Sequence, residues 1–304
     1  MAKILITPRS FASYNDAPYK TLTNAGIEYI KNPVGGILTE EQLIQHLQGC
    51  DGIIVGVDPL TENVLKQTNL KVISKYGVGT DNIDTEYCKK HNIEVTITQN
   101  ANSEAVADYC FALMLSVARK VIEIDKDCRN KDWQKRIGTD IFGKKIGVIG
   151  LGAIGRGVVK RASGFSMDIY GYDIYKDDGF LQEHSVNFTD IATIVKECDF
   201  ISLHLPLTKH MIDAEMLKTA KPNLIIINTA RGGIIHEGDL YNALKNNQIW
   251  GAGLDVFEEE PLLNSPLLEL NNVVLGSHSG ASTIGAVENM SDFAVKNIIS
   301  VLSK

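Results

Sequence analysis

The sequence predicts an α/β protein built on two doubly wound parallel sheets, from three observations. Short apolar runs alternate with helical patterns over the first hundred residues, the arrangement of parallel strands with helices on both faces. A second alternating series starts at Lys145. Its first apolar run, 146–149, leads straight into Gly150-Leu151-Gly152-Ala153-Ile154-Gly155 and a helical stretch. The length of 304 residues accommodates two domains with full cores.

In chain order, strands are predicted at 4–7, 53–55, 72–74 and 95–97. Helices are predicted after Thr39, where Thr39-Glu40-Glu41-Gln42 fits a capping box, after Thr61 and after Asp84; Gly26 ends an earlier helix near Asn24. The loop from Lys75 to Asp84 carries Gly77 and Gly79, whose sharp turns expose N–H groups suited to a carboxylate or simply connect strand to helix. Ser103 is the expected N-cap of a long helix with apolar Val106, Tyr109, Cys110, Leu113, Val117 and Val121 at helical spacing, running to about Cys128. With the polar stretch around Trp133, it suits either a subunit interface or packing on its own domain. The second series has strands at 146–149, 168–172, 200–203, 224–228, 251–254 and 273–275, the six that a dinucleotide-binding sheet requires. The helix at 283–302 then has no strand partner left there and is expected to pack on the first domain.

Composition narrows the partners. A net charge of −7 without a basic run argues against nucleic acid and anionic membrane, so an anionic substrate must be caught by a few local cations. Cys50, Cys88, Cys110, Cys128 and Cys198 form no C-x-x-C pair, which suggests reduced thiols of a cytoplasmic protein rather than disulfides or a zinc site. No His or Cys cluster has metal-ligand spacing. Residues 1–7 read as a strand and are too short in apolar length for a signal peptide. No apolar run approaches the roughly 20 residues of a membrane span.

Gly150, Gly152 and Gly155 fit G-x-G-x-x-G, in which the glycines allow the tight turn, close approach of a pyrophosphate and helix–strand packing. Asp173 ends the next strand at the expected distance of about 20 residues. Its carboxylate suits ribose hydroxyls and repels a 2'-phosphate, favouring NAD, although Lys176 nearby leaves NADP open. Three further strand ends carry Arg231, Glu260 and His278, and in a parallel sheet such ends share one ligand-binding edge. Alcohol oxidation by hydride transfer leaves a hydroxyl proton that a histidine can take and return. A carboxylate on its other ring nitrogen fixes the tautomer, and an arginine grips a carboxylate with two parallel hydrogen bonds.

With these motifs in order, the chain resembles the D-2-hydroxyacid dehydrogenases, most of all short phosphoglycerate dehydrogenases. The resemblance runs through Tyr76-Gly77-Val78-Gly79-Thr80-Asp81-Asn82-Ile83-Asp84, the glycine fingerprint, His204-Leu205-Pro206-Leu207, Asn228-Thr229-Ala230-Arg231-Gly232-Gly233, Leu254-Asp255-Val256-Phe257 with Glu260-Pro261, and His278-Ser279-Gly280-Ala281-Ser282-Thr283. It implies a Rossmann NAD-binding domain, 100–283, inserted into a flavodoxin-like substrate domain, 1–99 plus 284–304, with substrate in the cleft between them. It implies Arg231, Glu260 and His278 as catalytic residues. NAD contacts are implied for Thr98, Gly150, Gly152, Ile154, Gly155, Asp173, Leu205, Pro206, Thr229, Ala230, Arg231, Asp255, His278 and Gly280. Substrate contacts are implied for Tyr76, Gly77, Val78, Asn102, Arg231 and His278, and a homodimer through about 103–142.

Four features depart from the pattern or stand outside it. Lys75-Tyr76 replaces the Arg and small residue of many phosphoglycerate enzymes, Gly276-Ser277 replaces Thr-Pro, and a serine-binding regulatory domain is not expected after the last helix. Arg9, after the first strand, is a candidate for a substrate phosphate, as is Lys75. The leading expectation is the 3-phosphoglycerate/3-phosphohydroxypyruvate pair with NAD. The alternatives are reduction of hydroxypyruvate, glyoxylate or another small 2-keto acid, and an NAD-sensing binding protein.

Overall fold

The computed structural model describes residues 1–303. The chain runs β1 (Ala2–Ile6), α1 (Ala17–Asn24), β2 (Ile27–Lys31), α2 (Glu40–His46), β3 (Gly52–Val55), α3 (Glu62–Leu65), β4 (Val72–Lys75), α4 (Thr85–Lys90) and β5 (Glu94–Ile97). It continues α5 (Ser103–Arg119), α6 (Val121–Arg129), β6 (Lys145–Ile149), α7 (Ala153–Gly164), β7 (Asp168–Tyr172), α8 (Asp178–Glu183), β8 (Asn187–Phe188), α9 (Ile191–Glu197), β9 (Phe200–Leu203) and α10 (Ala214–Leu217). Then come β10 (Ile225–Asn228), α11 (Glu237–Lys245), β11 (Gly251–Leu254), β12 (Val273–Leu275) and α12 (Ile284–Leu302). Two compact units result: Met1–Asn102 with Ala281–Lys304, and Ser103–Gly280. These divisions fall three residues after and three before the 99/100 and 283/284 boundaries expected from sequence.

The first unit is a parallel sheet in the order β2-β1-β3-β4-β5, the flavodoxin-like order. Alternation sends Leu5, Ile53 and Ile73 to one face, against Leu43 and Leu47 of the α2 region, and Ile4, Ile54 and Val72 to the other, against Ala294, Val295 and Ile298 of α12. Burying one such side chain contributes about 1.5–3 kcal/mol. An exposed pair such as Lys20–Asp16 is screened by solvent and adds little, so the apolar runs rather than surface charges fix the sheet. Thr39 caps α2 through the capping box, and Thr283 caps α12 by accepting from the Ala286 amide. The strand β2 was not foreseen, because Ile-Glu-Tyr-Ile-Lys breaks the apolar run with charge; it is an edge strand with one protein neighbour.

The second unit is a parallel sheet in the order β12-β11-β10-β9-β6-β7-β8. It has seven strands where six were expected, since β8 is only two residues long and carries no apolar run. The order reverses between β6 and β9, the switch point at which ligands bind outside the carboxyl ends of the strands. The expected single helix to Cys128 is broken. Lys120 adopts φ 53°, and the Thr139 amide docks on the Ala118 carbonyl at 2.8 Å, so the chain 138–139 covers the end of α5 and α6 starts afresh. Among the described residues, no helix is long and apolar enough to cross a membrane.

Candidate active site

The carboxyl ends of β6 and β7 hold the glycine turn. Gly150 has φ 99°, and a Cβ there would lie 2.5 Å from the His204 carbonyl oxygen; a Cβ on Gly155 would lie 1.9 Å from the Gly150 oxygen. A Cβ on Gly152 meets nothing within 4 Å, so the backbone faces open space at the start of α7, where no side chain caps the first amides. Amides of this kind, at the positive end of a helix dipole, suit a pyrophosphate. Asp173 fixes the turn: its carboxylate accepts from the Leu151 amide at 2.6 Å and the Tyr175 amide at 3.1 Å. Ile154 is half-buried beside the turn. The neighbouring cations are already paired, Arg156 with Asp177 at 2.7 Å and Lys176 with Asp178 at 2.8 Å. The cradle thus fits a dinucleotide phosphate, with the Asp173 carboxylate beside the turn.

At the ends of β10, β11 and β12 stand the other expected groups. The Asn228 side chain accepts from the Ala230 amide at 3.0 Å and donates to the Arg231 carbonyl at 2.8 Å, which shapes the turn carrying Thr229, Ala230 and Arg231. Asp255 is buried and accepts from the Ser279 and Gly280 amides at 2.9 and 2.8 Å, while its own carbonyl accepts from the His278 amide at 2.9 Å. Burial raises the Asp255 pKa in spite of these bonds. So anchored, His278 takes φ 57°, an uncommon conformation for a residue with a side chain, and presents its ring at the edge.

His278 Nδ1 lies 2.8 Å from Glu260 Oε2, and Glu260 Oε1 accepts from the Phe257 amide at 3.1 Å. The hydrogen bond to Glu260 raises the His278 pKa above its ordinary value; partial burial and the charge of Arg231 oppose it. Burial works against ionised Glu260, but the bond to His278, its charge, the Phe257 amide and the charge of Arg231 together hold the carboxyl below its usual range. The three groups expected from sequence therefore act on one another electrostatically. Nδ1 is occupied by Glu260, which leaves Nε2 for a reacting proton.

In the first unit, Thr98 is buried and locks Gly77: its Oγ1 accepts from the Gly77 amide at 2.8 Å, and its amide donates to the Gly77 carbonyl at 3.0 Å. Val78, next in this turn, is exposed. The Tyr76 hydroxyl points to α12, 3.0 Å from the Val287 carbonyl and 3.1 Å from Ser291 Oγ. Lys75 is buried and its ammonium donates to the Gly56 carbonyl at 2.5 Å and Asn82 Oδ1 at 2.8 Å. Asn102 is buried, with an Oδ1 that has no partner among the described residues. Arg9 is exposed just past β1.

Sequence reasoning missed two supports of the second unit. Cys110, read as a core thiol, lies with its Sγ 3.1 Å from Thr229 Oγ1, its pKa pushed up by burial to about 11. His204, at the end of β9 before Leu205 and Pro206, pairs with Ser202 Oγ at 2.8 Å and is kept neutral by burial, its pKa about 3. Cys110 falls on the apolar face of α5 and His204 in the His204-Leu205-Pro206-Leu207 motif, but neither pattern reveals the hydroxyl that the side chain meets. A recess of about 460 Å³ lined by Lys120, Trp250 and Asn272 lies at the opposite, amino-terminal edge of this sheet. Among the described residues, no cluster of three or more His, Cys, Asp or Glu could hold a metal.

Residues 111–280 match the model of the NAD-binding domain of D-isomer specific 2-hydroxyacid dehydrogenases. A glyoxylate reductase from Thermococcus litoralis is 41% identical over 284 residues, covering 89% of this chain and 84% of that one. A D-3-phosphoglycerate dehydrogenase from Methanocaldococcus jannaschii is 41% identical over 273 residues, 87% of this chain but 52% of that protein. The structure of D-lactate dehydrogenase from Aquifex aeolicus, complexed with NAD and lactic acid, matches at a TM-score of 0.85 and 29% identity, over 99% of this chain and 95% of that one. The chain therefore belongs to the D-isomer specific 2-hydroxyacid dehydrogenases, a family of NAD-dependent oxidoreductases.

Proposed function

We propose that this enzyme reduces a small, unphosphorylated 2-keto acid such as glyoxylate or hydroxypyruvate with NADH, through Arg231, Glu260 and His278. The observation that carries the chemistry is the 2.8 Å His278–Glu260 bond beside the charge of Arg231. NAD, when bound at the glycine turn, supplies or accepts the hydride. The His278 imidazolium donates its Nε2 proton to the carbonyl oxygen during reduction and recovers it during oxidation. Glu260 holds the ring in that orientation and favours its protonated form. Arg231 holds the substrate carboxylate through a planar fork. Asp173 would favour NADH, and Asp255 would hold the carboxamide end of the bound cofactor. Thr98 and Asn102 serve the nicotinamide and substrate, and the Gly77–Val78 turn serves the substrate carboxylate.

The unphosphorylated substrate is supported by two observations. Relatives named glyoxylate reductase match over most of their length, and the Lys75 ammonium is engaged by the Gly56 carbonyl and Asn82 Oδ1 of neighbouring loops. Exposed Arg9 favours the second reading, the phosphohydroxypyruvate pair. Initial rates of NADH oxidation with glyoxylate, hydroxypyruvate and phosphohydroxypyruvate decide: higher kcat/KM for an unphosphorylated acid is expected. A preference for the phosphorylated acid, with Arg9→Ala raising KM for that substrate alone, would support the second reading. Homodimerisation through α5, α6 and the segment 130–142 belongs to the same proposal and is supported by Trp133 and Ile137, 88% and 84% exposed; sedimentation would test it.

A pH dependence follows. Reduction needs protonated His278, so its activity is present below the His278 pKa and lost as pH rises through it; oxidation shows the opposite limb. Glu260 raises that pKa, so Glu260→Gln should move the alkaline limb of reduction to lower pH. A pH–rate profile in which the limb stays put would count against the pairing.

A further inference from the structure

We infer that Glu237 and Glu258 form a reciprocal latch that positions Glu260, which makes Glu237 a positioning residue for proton transfer by His278. The inference rests on the proposed Glu260–His278 relay. Glu237 is the first residue of α11, and Glu258 lies in the loop after β11. The Glu258 amide donates to Glu237 Oε1 at 2.5 Å, and the Glu237 amide donates to Glu258 Oε1 at 3.1 Å. Two carboxylates at such range repel, and each is held by the backbone of the other and by the positive end of the α11 dipole. Glu258 also faces His210 Nε2 at 3.3 Å. His210 is anchored in turn, its amide donating to the Gly233 carbonyl at 2.7 Å and its ring standing edge-on to His236 at 4.6 Å. The latch therefore ties the loops after β9, β10 and β11, which carry Leu205 and Pro206, Arg231, and Glu260.

The consequence for the relay is geometric. Residues 258–261 are all exposed, so beyond buried Phe257 the position of this stretch depends largely on hydrogen bonds. The peptide that the latch grips at Glu258 adjoins Phe257, whose amide holds one Glu260 oxygen while the other holds His278. A loop released at Glu258 would let Glu260 swing from the imidazole. The titratable groups around Glu237 are Glu258, Glu260, His236, Asp239 and His210; those facing His278 are Glu260, Asp255 and Arg231.

The test is the pH profile of NADH oxidation by glyoxylate in the intact enzyme carrying Glu237→Ala, Glu237→Gln, Glu258→Ala, Glu260→Gln or Glu237→Ala with Glu260→Gln. Glu237→Ala is expected to lower kcat roughly 10- to 100-fold, the range for a small misplacement of reacting groups. It should leave the KM for NADH in place and move the alkaline limb of reduction to lower pH. Glu237→Gln, whose amide oxygen still accepts from Glu258, should restore most of the activity. Glu258→Ala, which removes the reciprocal half, should shift the limb the same way, and in the Glu260→Gln background Glu237→Ala should add no shift. A Glu237→Ala enzyme with the original limb, or additive shifts in the double variant, would overturn the latch while leaving the relay standing. An unmoved limb in Glu260→Gln would overturn the relay and the latch with it.

Discussion

His278→Ala is expected to lower kcat for keto-acid reduction by roughly 100- to 10,000-fold, the contribution of a positioned general acid. NADH affinity should change little, because the proposed cofactor cradle lies at the glycine turn and Asp173, and the Asp255 carboxylate is held by the amides of Ser279 and Gly280 rather than by the imidazole. Stopped-flow single turnovers together with titration of NADH fluorescence separate the two quantities. A collapse in NADH binding with intact turnover of bound cofactor would make His278 a cofactor residue. The Glu260 partnership adds a sign: in His278→Ala the alkaline limb assigned to the imidazole should disappear, and in Glu260→Gln it should only move.

The second large effect is expected at Arg231. Arg231→Gln removes both the fork proposed for the substrate carboxylate and a positive charge acting on Glu260 and His278. Losing one partner of a desolvated charge pair costs about 2–5 kcal/mol, or roughly 30- to 5,000-fold in kcat/KM. Arg231 lowers the His278 pKa, so its removal should carry the alkaline limb of reduction to higher pH, opposite to Glu260→Gln. Arg231→Lys keeps the charge and loses the fork. Its kcat/KM should fall while the limb stays near that of the parent enzyme. Limbs that move the same way in Arg231→Gln and Glu260→Gln would contradict the electrostatic arrangement.

The sheets were legible because parallel strands buried on both faces are written as apolar runs, from 4–7 through 273–275. The strand β2 escaped because an edge strand tolerates Glu28 and Lys31, and β8 because two residues carry no period. The break at Lys120 was hidden for a different reason: the apolar spacing continues to Val121, and only the docking of Thr139 on Ala118, a contact across the chain, ends the helix. Arg231, Glu260 and His278 could be singled out since each follows a strand. Glu237, Glu258 and His210 could not, because Glu258 sits in an acidic run that reads as surface and Glu237 in an ordinary helix start. Their meaning lies in amide–carboxylate pairs between loops. Lys75 and Tyr76 were readable as positions in the family pattern, whereas the direction of their side chains, toward Gly56 and α12, depends on the packed sheet.

The proposed reaction moves a hydride from NADH to C2 of a small 2-keto acid while His278 supplies the proton. The direct test uses NADH stereospecifically deuterated at C4 with hydroxypyruvate, and reads the product by NMR and chiral chromatography. The expected product is the D-isomer of the 2-hydroxy acid, with deuterium at C2 and a hydroxyl proton drawn from solvent. Product of the L configuration, deuterium lost to water, or bound NADH with no product would contradict it.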